Sequence, residues 1–156
     1  MGKILKAAIC CLLFGFTLLA VNNCTPKTNG RGLKVYFETM PNLQDNQILF
    51  KGELVGTVQT SSIGGFRVAK LVLVLQDDFL NETGNNLAFV VRYGRLEAIK
   101  LSSLGQPLDK ETPLCGFNSS MELNWFKIKT LIGDRITAAE KRARSLEQRF
   151  STDTKS

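Results

Sequence analysis

Between Gly32 and Phe117 apolar and polar residues alternate in short runs closed by turn residues; beyond Asn118 the alternation gives way to helical spacing. Leu33, Val35 and Phe37 alternate with Lys34, Tyr36 and Glu38, the period of a half-buried strand. Met40–Asn46 is rich in turn residues, with Pro41, Asn42 and Asp45. Ile48–Phe50 reads as a short strand, Lys51-Gly52-Glu53 as a tight turn, and Leu54, Val55 and Val58 as the next strand, interrupted by Gly56. Ser61–Gly65 is expected to turn, and Phe66–Leu75 to be the strongest strand. Its Leu71–Leu75 section is apolar on both faces, which predicts a central place in a sheet. Gln76–Asn86 reads as a loop, Leu87–Arg92 as a strand, Tyr93–Glu97 as a tight connection and Ala98–Leu101 as the returning strand. Ser102–Pro113 is a further loop, and Leu114–Phe117 closes the series. Short strands at regular spacing, with no helical pattern between them, predict a mainly β protein, a small barrel or sandwich of about seven strands.

After Asn118 the reading is helical. Ser119 or Ser120 supplies a cap, with Glu122 in the first turn. Ile132, Ile136, Ala139, Ala143, Leu146 and Phe150 recur at steps of 4, 3, 4, 3 and 4, a heptad seam. Two uses of the seam stand open: a helix lying on its own barrel, or one meeting copies of itself. Gly133 weakens the helix by about 1 kcal/mol relative to Ala. Residues 119–150 are assigned to this helical region, with 151–156 a disordered tail.

The net charge of +6 is carried by the ends of the chain. Lys3 and Lys6 open it, residues 7–126 hold ten Lys/Arg against ten Asp/Glu, and residues 127–149 hold seven Lys/Arg against three Asp/Glu. A neutral middle argues against a nucleic-acid-binding core. For the basic helix, a solvated face and an attraction to anionic headgroups or an acidic partner are both open. There is no histidine, which removes the commonest general base and the commonest metal ligand. No Gly-rich phosphate loop, H-E-x-x-H or G-x-S-x-G occurs, so the sequence points away from an enzyme, a cofactor and a metal site. Of Cys10, Cys11, Cys24 and Cys115, only the last belongs to the folded region, where it reads as a buried apolar thiol. No CxxC spacing is present.

Met1–Lys6 is short and basic, Ala7–Val21 is uncharged and apolar, and Asn22, Asn23 and Cys24 follow. This is the build of an export segment over residues 1–24. It is compatible with a retained single-pass anchor, with acylation at Cys24, or with cleavage; each leaves the rest of the chain outside the cytoplasm. Thr25–Arg31 is a polar linker broken by Pro26 and Gly30.

The run Leu43–Val58 (LQDNQILFKGELVGTV) resembles the opening signature of mammalian-cell-entry (MCE) domains, the MlaD-like family. Leu43, Gly52, Val55, Gly56 and Val58 fall on its motif places, whereas Asn42 stands where the family usually has glycine. The likeness extends over about residues 32–118. It implies a seven-stranded barrel that assembles as a hexameric ring, does no chemistry and passes phospholipid through a central pore. It also implies an inner-membrane permease and an ATPase as partners, and a place on the periplasmic face of a bacterial envelope, held to the membrane by the N-terminus. Tyr93-Gly94-Arg95-Leu96-Glu97 corresponds to the family's pore loop, with Leu96 as the apolar lining. This loop is shorter and more charged than the family's apolar one. A different class, a monomeric envelope module with a ligand pocket inside the barrel or an acidic partner on the basic helix, is the alternative.

Overall fold

A computed structural model describes residues 31–102, 107–109, 111–130 and 134–152. The segment expected to direct export, Cys24 within it, linker residues 25–30, Ile132 and the tail residues 153–156 lie outside these. Seven strands are present: β1 (Arg31–Phe37), β2 (Gln47–Phe50), β3 (Glu53–Ile63), β4 (Ala69–Leu75), β5 (Leu87–Arg92), β6 (Arg95–Lys100) and β7 (Leu114–Phe117). They close in the order β1-β4-β3-β2-β6-β5-β7, and β7 returns to β1 in a parallel pair, so the choice between barrel and sandwich falls to the barrel.

The inside is filled by the chain's own side chains. Leu33, Val35 and Phe37 of β1, Leu71, Leu73 and Leu75 of β4, and Leu87 and Phe89 of β5 alternate inward and are buried. Ala88 and Val90, on the other face of β5, join Cys115, Phe117, Leu123, Ala139 and Ala143 in a second cluster beneath the helices. Burial on both faces explains why β5 carries five apolar residues in succession.

The glycines of the family-like run have separable roles. Lys51 and Gly52 turn the β2–β3 hairpin with φ of 53° and 89°. Beside Gly56 the register slips by one residue, leaving Val55 as a bulge. A Cβ on Gly56 would fall 2.6 Å from Leu75 Cδ2 and closer still to the Val74 carbonyl. Val55 is buried, and Leu43 and Val58 pack against the core.

Three local expectations are corrected. Gln76–Asn86 is not all loop: Asp77–Thr83 forms helix α1, which buries Phe79, Leu80 and Thr83 and stops at Gly84. The β3–β4 turn comes later than expected, because β3 runs on to Ile63 while Phe66 and Arg67 take positive φ in a 3-10 turn. The C-terminal region contains two helices, α2 (Ser120–Lys129) and α3 (Arg135–Ser151). The heptad seam is used by the barrel itself: Ala139, Ala143 and Leu146 are buried, and Phe150 lies edge-on to Tyr36 with ring centroids 6.0 Å apart. Small residues let α3 approach closely. The same close fit leaves no room for a Cβ on Gly64, which would stand 2.5 Å from Phe150.

Candidate functional site

The β5–β6 hairpin turns in two residues between the paired Arg92 and Arg95. Tyr93 and Gly94 both have positive φ, 51° and 73°, as a type I′ turn requires. Gly94 is also needed for space, since a Cβ would meet Gln44 Cγ at 2.6 Å. The Gln44 N–H donates to the Gly94 carbonyl at 2.7 Å. Arg95 Nε lies 3.4 Å from Asp45 Oδ2, and Asp45 Oδ1 accepts from the Gln47 N–H at 3.0 Å. The turn-rich stretch before β2 is thus fastened to the hairpin tip. On the far side, Arg92 Nη1 sits 2.8 Å from Glu97 Oε2, and Arg92 Nε donates to Ser120 Oγ at 3.1 Å. Val91, Arg92, Tyr93, Glu97 and Ser120 line an open cleft between the hairpin and the start of α2.

The five residues expected as a pore loop therefore divide. Tyr93 and Gly94 form the tip, and Tyr93 is 95% exposed. Leu96 is not in a loop: it belongs to β6, pairs with Val91 and Ile48, and is 0% exposed in the barrel core. In a two-residue turn the strand resumes at Arg95, and the pleat sends Leu96 inward. Arg95 and Glu97 brace the tip through their ion pairs.

The outer face of α2 has no counterpart among the sequence-based expectations. Ser119 Oγ caps the helix by accepting from the Glu122 N–H at 3.2 Å, and Glu122 Oε2 accepts from the N–H of Asn118, just before the cap, at 2.7 Å. The inner face buries Leu123 and packs Phe126 on Phe117 at 5.1 Å. The outward face consists of Met121, Asn124, Trp125, Ile128 and Lys129, all exposed. Their spacing of 3, 1, 3 and 1 was the available signal. Apolar residues on both faces hid it.

Basic residues divide likewise. Arg142 is a tie: it contacts Glu122, lies 3.3 Å from Glu38 and stacks 4.9 Å over the Phe117 ring. Arg149 and Lys70 stack over Phe66 and Phe150. Lys127 has its pKa lowered, by partial burial first and then by Arg135 and Arg92. Burial pushes the Cys115 thiol up to about 12. Burial and the neighbouring Glu147 carboxylate raise Tyr36, whose hydroxyl donates to Glu147 Oε1 at 3.0 Å. Among the described residues no three His, Cys, Asp or Glu side chains gather as metal ligands.

Fold and site together define a small closed β-barrel with an exposed aromatic hairpin tip and two helices packed on one flank. No protein-family model matches the sequence, and no curated protein matches it significantly. Among solved structures, the chain is similar to one titled "Acinetobacter MlaFEDB complex in ATP-bound Vtrans1 conformation". The TM-score is 0.35 and the identity 15%, over 99% of this chain and 69% of that one.

Proposed function

We propose that this chain is a non-enzymatic, lipid-binding component of an envelope phospholipid transport system, working as a ring of copies with the hairpin tips toward a central pore. The observation that carries the reading is the closed seven-stranded barrel, in which the MCE-like run supplies a positive-φ turn at Gly52 and a close strand contact at Gly56. The barrel interior is packed with side chains, so a lipid is held between copies or on the surface. This also counts against a monomer with an internal pocket. Tyr93, not Leu96, is the group that each tip offers to an acyl chain, with Gly94 fixing the turn and Arg95 and Glu97 bracing it. An N-terminal membrane anchor on the periplasmic face and contact with an inner-membrane permease and ATPase complete the proposal.

Native mass of the full chain in mild detergent, with extraction of bound phospholipid, tests it. A hexamer carrying phospholipid is expected; a lipid-free monomer refutes it. Tyr93→Asn separates the tip's role from folding, because Asn-Gly is a favoured type I′ pair and leaves the turn intact. Lipid per copy should fall while the native mass stays unchanged. Unaltered lipid content would refute Tyr93's part. Leu96→Asp would report on the barrel core instead.

A further inference from the structure

The helix α2 is fixed to the barrel by Leu123 and Phe126, yet it turns a second apolar face outward. Met121, Trp125 and Ile128 are 70%, 58% and 75% exposed at i, i+4 and i+7, and no described residue covers them. We propose that this face rests on an anionic membrane surface, with Trp125, Met121 and Ile128 among the headgroups and Lys129 and its basic neighbours against the phosphates.

Charge favours this occupant. Lys129 Nζ stands 6.0 Å over the Trp125 ring, extending the helix face with a cation. Lys127 and Arg135 lie close together, with Arg135 Nη2 donating to the Lys127 carbonyl at 3.2 Å. Neither is in an ion pair among the described residues. The nearby carboxylates are engaged elsewhere: Glu122 by Arg142 and the Asn118 N–H, Glu97 by Arg92. Asp134, exposed at the start of α3, is the remaining acid of this stretch. An apolar helix face with tryptophan and flanking lysines matches the interfacial zone of a bilayer, where an amphipathic ring sits at headgroup level and cations meet anionic lipid.

A second copy of the chain fits less well. Three side chains of this size expose on the order of 400 Å², about half of the roughly 800 Å² per partner in a standard interface. Symmetric pairing would also set these lysines against their own images. The inference concerns a different surface from the hairpin tip and holds with or without a ring.

Trp125 is the single tryptophan, so its fluorescence reads this face directly, whatever the N-terminal segment does. The full chain is reconstituted in phosphatidylcholine vesicles with and without phosphatidylglycerol, with brominated acyl chains as quencher. With phosphatidylglycerol, the emission is expected to shift to the blue and lose intensity to bromine, and 0.5 M salt is expected to weaken both. The pair Met121→Ser and Ile128→Ser should abolish the quenching; being exposed, these changes leave the fold intact, as an unchanged circular dichroism spectrum would verify. Emission that stays red and unquenched in anionic vesicles overturns the proposal. So does a blue shift without quenching that grows with protein density, which would assign the face to a second copy.

Discussion

Gly52 and Gly56 of the β2–β3 hairpin are required for different reasons, so one substitution should have unequal effects at the two positions. At Gly52 φ is +89° and nothing lies within 4 Å of where a Cβ would go. The constraint is conformational: Ala should cost about 1–2 kcal/mol, and Asn, which tolerates positive φ, less than about 1 kcal/mol. At Gly56 the constraint is space. A Cβ would sit 2.6 Å from Leu75 Cδ2 and 3.0 Å from Leu75 Cα, and closer to the Val74 carbonyl. Two of those atoms are main chain of β4, which is held by β1 along its whole length, so no rotamer change relieves the clash. Overpacking costs about 1–3 kcal/mol, and relieving glycine's chain entropy returns about 0.5–1 kcal/mol. Because the clash is with main chain, the overpacking cost lies toward the upper end of its range, so the net for Gly56→Ala is about 2 kcal/mol, or roughly 6–10 °C in Tm for a domain of this size. Asn at Gly56 should cost more than Ala, the reverse of the order at Gly52. Far-UV circular dichroism during thermal and urea unfolding is the assay, because the exposed Trp125 is no reporter of the core. Gly56→Ala melting within about 2 °C of the parent, at equal m value, would refute the close strand approach.

Arg142 and Glu122 are each only 24% exposed, and a double-mutant cycle with Arg142→Met and Glu122→Gln should give a coupling of about 1–2 kcal/mol; coupling near zero would show that α2 and α3 are held by apolar contact alone. Burial holds the Cys115 thiol at about 12 in the folded chain, above its ordinary value near 9. Below pH 9 its contribution is fully present. Between pH 9 and 12 the unfolded chain releases a proton that the folded chain keeps, so stability falls by roughly 1 kcal/mol per pH unit. Cys115→Ala should flatten that part of the denaturation profile relative to the parent, and the native thiol should resist disulfide reagents at pH 8. An equal slope in both proteins would contradict this burial.

The strands were legible because each half-buried run obeys its period. Leu33, Val35 and Phe37 alternate with the outward side of β1, and the apolar block of β4 marks a strand flanked by β1 and β3. Closure was not legible. It depends on three parallel pairings, β1 with β7, β2 with β6 and β5 with β7, which no local pattern encodes. Helix α1 left a trace in Asp77 and Asp78 ahead of Phe79-Leu80 and in Gly84 at its end, but seven residues are too few for a helical period to emerge. The late β3–β4 turn rests on positive φ at Phe66 and Arg67, residues that ordinarily avoid that region. Arg149 over the Phe66 ring is a contact that only the fold supplies.

The candidate site was readable as a place but not as a set of side chains, and the reason is register. A hairpin bend was expected over Tyr93–Glu97, but only Tyr93 and Gly94 form it and Arg95–Glu97 already belong to β6; whether Leu96 or Tyr93 faces outward turns on where the strand resumes. A five-residue loop would leave Leu96 free, whereas a two-residue turn returns it to the pleat and drives it inward. Tyr93-Gly94 has glycine at only one of its two positive-φ positions, so the turn looked longer than it is. On α2 the ambiguity was of sides instead of ends. Leu123 and Phe126 hold the helix to the barrel, and Met121, Trp125 and Ile128 repeat on the opposite side, so neither face stood out as polar. The basic excess at the C-terminus then separates by contact: Arg142 and Arg149 are spent on the fold, whereas Lys127, Lys129 and Arg135 have no carboxylate partner among the described residues. Charges left over beside an uncovered apolar face are what distinguish a docking surface from a solvated one.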